Sequence, residues 1–287
     1  MINILVTGGN GQLGLCIKDL SENLSGYNFI FLDFEDLDIT NEKEVNAFFS
    51  SNSISYCVNC AAFTNVDKSE SEEETSKKVN QDGVKFLAET CKKNNTILIQ
   101  ISTDFVFDGN QSIPYKENDK TNPLSVYGLT KLNGEVAVAS VLDKYFILRT
   151  SWLYSEYGNN FLKTMLRLSS EKEELSIISD QIGTPTYAGD LAELILKIIK
   201  EDSNNYGLYH FSNQGVASWY DFAKAIFDIN SLIFKVNPIK TEEYKTDAER
   251  PKYSILDKSK VQNTFNLEIP YWRESLKKAI VRLKILN

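Results

Sequence analysis

One short stretch constrains this chain more than any other: Thr7-Gly-Gly-Asn-Gly-Gln-Leu-Gly14, which follows the apolar run Ile2 to Thr7 without a break. It satisfies both Gly9-x-Gly11-x-x-Gly14 and the wider Gly8-x-x-Gly11-x-x-Gly14, and a helical pattern begins directly after it. Glycine is needed where a chain leaves a strand sharply, where backbone must approach a pyrophosphate, and where a helix packs closely on a sheet. The start of the helix then offers free N–H groups to an anion. A glycine triplet alone also fits an ordinary strand-to-helix turn. Between a first strand and a first helix it predicts a dinucleotide-binding unit, with Gly8, Gly11 and Gly14 as its glycines.

The second apolar run, Phe29 to Asp33, ends in a carboxylate nineteen residues after Gly14, where an acidic side chain meets the adenosine ribose in such units. No Lys or Arg lies between Asp33 and Asp38 to neutralise a 2′-phosphate. NADH is therefore expected to bind better than NADPH. An exposed turn carboxylate is the other reading of Asp33.

Strand-like runs continue at Tyr56 to Asn59, Thr96 to Ser102 and Tyr145 to Thr150, separated by helical patterns. Nearly continuous hydrophobic strands alternating with helices imply a parallel sheet covered on both faces. The fold class expected is α/β, a doubly wound parallel sheet of the Rossmann type with a smaller mixed α/β lobe. After Thr150 the alternation weakens, with helices expected at Asn160 to Ser169, Tyr187 to Lys200, Ser218 to Asp228 and Pro270 to Leu286, and short strands near Leu175 to Ile178 and Leu208 to Ser212. The sheet domain is expected over 1–151 and about 174–212, and the lobe over about 152–173 and 213–287. The acidic stretch Glu70 to Glu74 reads as the first turns of a helix, where negative charge complements the dipole.

Composition excludes several other functions. With 31 Lys plus Arg against 39 Asp plus Glu, the net charge of −8 opposes non-specific nucleic-acid binding. No apolar run approaches the roughly 18 residues of a membrane span. A single histidine, His210, rules out a mechanism needing two imidazoles and a His-rich zinc site. Cys57 and Cys60 form a CxxC without a second pair, so buried free thiols are expected and no metal site. No basic segment followed by an apolar one precedes the first strand, and a cytoplasmic location is expected.

Proton chemistry must then come from other groups. The run Ile97-Leu-Ile-Gln-Ile-Ser-Thr-Asp104 ends a strand, and a helix beginning near Ser125 carries Tyr127-Gly-Leu-Thr-Lys131. Tyrosine and lysine four apart share a helix face. An ammonium beside a phenol is expected to lower its pKa and let it exchange a proton near neutral pH. Ser102 or Thr103 at the strand end can hydrogen-bond the same oxygen. A surface helix with a half-buried Tyr would also show this spacing; with Thr103 upstream and the glycines at the N-terminus it becomes specific.

These motifs, with Ser102-Thr-Asp-Phe-Val-Phe-Asp-Gly109 and Arg149-Thr-Ser-Trp-Leu-Tyr154, resemble the extended short-chain dehydrogenase/reductase superfamily. Within it, Asn59-Cys-Ala-Ala-Phe-Thr-Asn-Val-Asp67, Gly158-Asn-Asn-Phe161, Asp180-Gln-Ile-Gly-Thr-Pro-Thr186 and Arg250-Pro251 are similar to the family of dTDP-4-dehydrorhamnose reductases. The similarity runs over essentially the whole length. It implies that NADH or NADPH delivers hydride to C4 of a dTDP-linked 4-keto-6-deoxyhexose. Tyr127 would protonate the C4 alkoxide, Lys131 would hold the nicotinamide ribose and tune Tyr127, and Thr103 would bind the keto oxygen. Gly11, Gln12 and Leu13 match positions at the pyrophosphate, Asp38 and Ile39 those at the adenine, and Ala62, Phe63 and Thr64 those on the nicotinamide side. Val66, Asp104 and Trp152 match contacts to the dTDP-sugar, and Arg250 is a candidate partner for its diphosphate, since a guanidinium suits that group.

The chain also departs from the family pattern. Phe105 replaces a tyrosine, removing a hydroxyl near the site. Some members bridge a homodimer through magnesium held partly by a Glu two residues after the last glycine; Cys16 stands there, so metal-linked dimerisation is not expected and a homodimer of another kind stays open. Trp152 and Trp219 also read as core aromatics. Two other functions remain at this level: a sugar-nucleotide epimerase or dehydratase that retains its cofactor, and a non-catalytic regulatory relative. The paired acidic residues of dehydratases are absent after Thr103, where only Asp104 stands. A relative without activity would be expected to lack Tyr127 or Lys131.

Overall fold

The β-branched and aromatic runs fold as six strands, β1 (Ile2–Thr7), β2 (Tyr27–Leu32), β3 (Ile54–Asn59), β4 (Ile97–Thr103), β5 (Tyr145–Thr150) and β6 (Gly207–His210), in a computed structural model describing residues 1–286. They lie side by side in the order β2-β1-β3-β4-β5-β6, every neighbouring pair parallel. Alternate residues feed two cores, as the strand period dictates. Ile4 and Val6 pack with Leu13, Ile17 and the helix Ala188–Lys200 on one face. Leu5, Cys57 and Leu98 pack with Val45, Leu87 and Val138 on the other, under the helices Glu42–Ser51, Val84–Asn94 and Val126–Val141. The chain runs from β1 outward to β2 and then returns to β3 on the opposite side of β1. Such a switch leaves a crevice at the carboxyl ends of β1 and β3.

A third apolar cluster, including Leu162, Met165, Phe222, Ile226, Trp272 and Leu276, is the core of a lobe built from helices Phe161–Glu171, Trp219–Ile229 and Trp272–Leu286. The strand Glu174–Ile178, allotted by the sequence reading to the sheet domain, instead pairs in parallel with Lys235–Ile239, and its Leu175 joins the lobe cluster. A run with one buried edge looks the same in either sheet. The acidic stretch does not open a single helix. Glu70 belongs to the short helix Val66–Ser71, Glu72 interrupts it, and only Glu73 and Glu74 begin the next helix, Glu73–Lys77. The Glu70 carboxylate reaches across to accept from the Val126 N–H at 2.9 Å, at the start of a different helix.

All four cysteines are free, and Cys60, unlike the other three, is only partly buried. His210 is fully buried, its Nδ1 3.0 Å from the Tyr115 carbonyl. No helix among the described residues is long and apolar enough to cross a membrane.

Candidate active site

The crevice at the switch point opens into a cavity of about 790 Å³ between sheet and lobe. Gly8, Gly11, Gln12, Leu13, Asp33, Asp38, Ile39, Ala62, Phe63, Thr64, Val66, Thr103, Asp104, Tyr127, Lys131, Trp152 and Arg250 all line it. Gly14 alone of the expected residues does not. A Cβ there would lie 2.5 Å from the Gly8 carbonyl oxygen, so the bare Gly14 lets the helix Gln12–Ser21 close on the loop.

The glycine cradle is built for an anion. Gly8 has φ +63°, and a Cβ on it would meet the Ala61 nitrogen at 2.7 Å. Gly11 caps the helix without any side-chain hydrogen bond, which leaves the first N–H groups free toward the cavity. These features fit a dinucleotide pyrophosphate. Asp33 closes one side: its Oδ2 accepts from the Asn10 N–H at 2.9 Å and its Oδ1 from the Phe34 N–H at 2.8 Å, leaving lone pairs for ribose hydroxyls. Gln12 ties the loop to the lobe, its Oε1 accepting from Asn160 Nδ2 at 2.8 Å and Ser155 Oγ at 3.1 Å. The Phe63 backbone is pinned on both sides by the buried Asn80 amide, at 2.9 and 3.0 Å.

At the inner end, Ser125 caps the helix Val126–Val141 by accepting from the Gly128 N–H, and one turn later the helix presents Lys131. Gly128 is required because a Cβ would lie 2.3 Å from the Phe105 carbonyl oxygen. The Phe105 ring packs edge-on against Tyr127, centroids 5.6 Å apart and planes at 78°, so the residue replacing tyrosine supports the phenol by packing. Of the two hydroxyls expected near that phenol, Ser102 Oγ donates to Glu135, which is paired with Arg149. Thr103 is the one whose hydroxyl acts on the Tyr127 phenol.

The charges differ from the simple expectation. Burial pushes the Tyr127 phenol up to about 12, against the pull of the Thr103 hydroxyl and with help from Asp104. Lys131 does not lower it here; its ammonium donates to the Ile101 carbonyl at 2.7 Å, and burial brings it down to about 8. Asp104, 1% exposed, has its carboxyl raised to about 6 by burial, against the Ser254 and Thr103 hydroxyls. Its Oδ1 accepts from Thr103 Oγ1 at 3.1 Å, while Oδ2 is buried with no hydrogen-bond partner among the described residues. A ligand hydroxyl in the cavity would satisfy it.

Arg250 stands at the rim, donating to both Asp67 oxygens at 3.1 and 2.6 Å, so its cation is already partnered. Trp152 has φ +46°, a conformation that a bulky side chain rarely adopts. Trp219, Asn59, Cys60 and the turn Gly158-Asn-Asn160 also line the cavity. Nothing in their residue types marks these as site residues in the sequence, although the Gly-Asn-Asn turn is a recognisable motif there.

Comparison with known proteins shows the family. A family model described as the RmlD substrate binding domain matches residues 2–285. The dTDP-4-dehydrorhamnose reductase of Aggregatibacter actinomycetemcomitans is 42% identical over 96% of this chain and 98% of its own length. Among solved structures, a dTDP-4-dehydrorhamnose reductase from Clostridium acetobutylicum superposes with a TM-score of 0.95 at 44% identity, covering 99% of this chain and 100% of that one. The corresponding reductase from Bacillus anthracis, solved in complex with NADP, gives 0.93 at 40% identity over 98% of this chain and 100% of its own. The chain belongs to the dTDP-4-dehydrorhamnose reductase family.

Proposed function

We propose that this chain reduces the C4 keto group of dTDP-4-dehydro-6-deoxy-L-mannose to give dTDP-L-rhamnose, using NADH or NADPH. The observation that carries this reading is the convergence of Tyr127, Thr103 and Lys131 on the cavity that also holds the uncapped glycine cradle. When bound, the reduced nicotinamide supplies the hydride that converts the ketone carbon to an alkoxide carbon. The proton then comes from the protein. A phenol held near 12 remains protonated at neutral pH, as a general acid must, and is still a stronger acid than the sugar alcohol formed when the alkoxide takes its proton.

Thr103 would turn its hydroxyl from Asp104 to the keto oxygen and stabilise the charge that develops there. Lys131 would donate to the nicotinamide ribose from its place beside Ile101. Asp104 would accept from a sugar hydroxyl through its unpartnered Oδ2, and Val66 and Trp152 would form the apolar wall. Arg250, oriented by Asp67, would meet the diphosphate. The division of labour is a sheet domain that holds the cofactor and a lobe that holds the nucleotide sugar. Mixing the protein with the dTDP-4-keto sugar and following nicotinamide absorbance tests the reading. Stoichiometric consumption is expected; a tightly held cofactor with no net consumption would point to an epimerase or dehydratase.

A further inference from the structure

The motif Asp180-Gln-Ile-Gly-Thr-Pro-Thr186 has a place in the fold that the reaction as described leaves unused. Ile182–Gly183 pairs antiparallel with Ala217–Ser218, setting Gly183 opposite Ala217. Ser218 then caps the helix Trp219–Ile229 through a reciprocal pair of hydrogen bonds with Asp221, so Trp219 is fixed as its first residue. Gly183 and Trp219 thus meet at the same place, and what lies there is Trp152. The two indoles are stacked with centroids 3.6 Å apart and planes 7° from parallel. The glycine backbone is also against the Trp152 ring: a Cβ on Gly183 would lie 2.6 to 2.9 Å from three of its indole atoms. Gly183 has no positive φ, so its lack of a side chain serves this contact and not the backbone. Trp219 is in turn backed by Phe161, centroids 4.8 Å apart.

We infer that Gly183 and Trp219 form a slot that holds the Trp152 indole, at its strained backbone, in the orientation that receives the nucleotide sugar. Trp219 is then a positioning residue for substrate and not for cofactor. This rests on the assignment of Trp152 as a substrate contact. Strained residues persist only where surrounding structure over-determines them, and a stacked indole beside a bare glycine supplies that constraint.

The test measures KM for the dTDP-4-keto sugar, kcat and the NADH dissociation constant in Trp219→Ala, Trp219→Phe, Gly183→Ala and Trp152→Ala. Trp219→Ala and Gly183→Ala are expected to raise KM by about tenfold, the size of one lost aromatic contact, with NADH affinity within about twofold. Trp219→Phe, which keeps a stacking ring, is expected to recover most of the loss. NADH binding also reports that each variant is folded. If Trp152→Ala raises KM but Trp219→Ala does not, the slot is wrong. If Trp152→Ala itself leaves KM unchanged, the substrate assignment beneath the inference fails. If Trp219→Ala lowers NADH affinity and kcat together and Phe is no better than Ala, Trp219 serves only the packing of the lobe.

Discussion

The Lys131 ammonium donates to the Ile101 carbonyl at 2.7 Å, and the Tyr127 phenol one helical turn away is held above its ordinary pKa instead of below it. The pair spaced to lower a phenol pKa is a protonated acid beside a cation anchored to the sheet. Loss of a solvent shell outweighs the spacing, because burial penalises phenolate and ammonium alike.

Cofactor affinity should depend on the Lys131 proton. Its pKa lies near 8, so the ammonium is present below that pH and lost above it. NADH is expected to bind progressively more weakly as pH rises through about 8, by roughly tenfold if one hydrogen bond to a charged group is lost. Lys131→Met should bind weakly at pH 7 and lose this dependence. Fluorescence titration of NADH between about pH 6.5 and 9.5 checks it; a parallel slope in the variant would assign the effect to another group.

Asp104 should cost stability above its own pKa. Its carboxyl is raised from 3.8 to about 6, so the native state binds the proton more tightly than the unfolded chain does. Stability is therefore greatest below 3.8 on this account, falls between 3.8 and about 6, and is lower by up to about 3 kcal/mol beyond. Asp104→Asn should raise stability at pH 8 by about 1 to 3 kcal/mol while lowering kcat/KM. Urea unfolding at pH 4 and pH 8 measures this. Equal effects at the two pH values would remove the buried charge as the cause.

Much of the fold was legible because it rests on periodicity: continuous apolar strands specify a parallel sheet, and the expected β1 and β5 coincide with those observed. The strand Glu174–Ile178 was misallotted because a strand does not state its partner. Gly14 reads like its neighbours in the motif, yet only the approach of Gly8 shows that it serves packing. The direction of the Tyr127 shift depends on burial, which spacing does not record. Trp219 was indistinguishable from a core aromatic until the ladder from Gly183 placed it against Trp152.

Cofactor choice should follow Asp33. Both its oxygens accept backbone N–H groups from the cradle and the adjoining turn, so the carboxylate cannot swing aside for a 2′-phosphate without breaking them. NADH is expected to be used at least as well as NADPH. A kcat/KM ratio favouring NADPH by more than about tenfold, or roughly 1.4 kcal/mol, would mean that a more distant Lys or Arg reaches the phosphate.

The central claim is that the proton for the sugar oxygen comes from Tyr127, and turnover by Tyr127→Phe tests it most directly. The change removes the hydroxyl and keeps the ring that packs on Phe105. Under conditions where chemistry limits turnover, kcat is expected to fall by about 10²–10⁴-fold, with the NADH dissociation constant little changed. Thr103→Val should lower kcat less, since it loses a hydrogen bond to the keto oxygen but keeps the proton source. Retention by Tyr127→Phe of more than about a third of the wild-type kcat would contradict the account, because the proton would then have to come from water or another group.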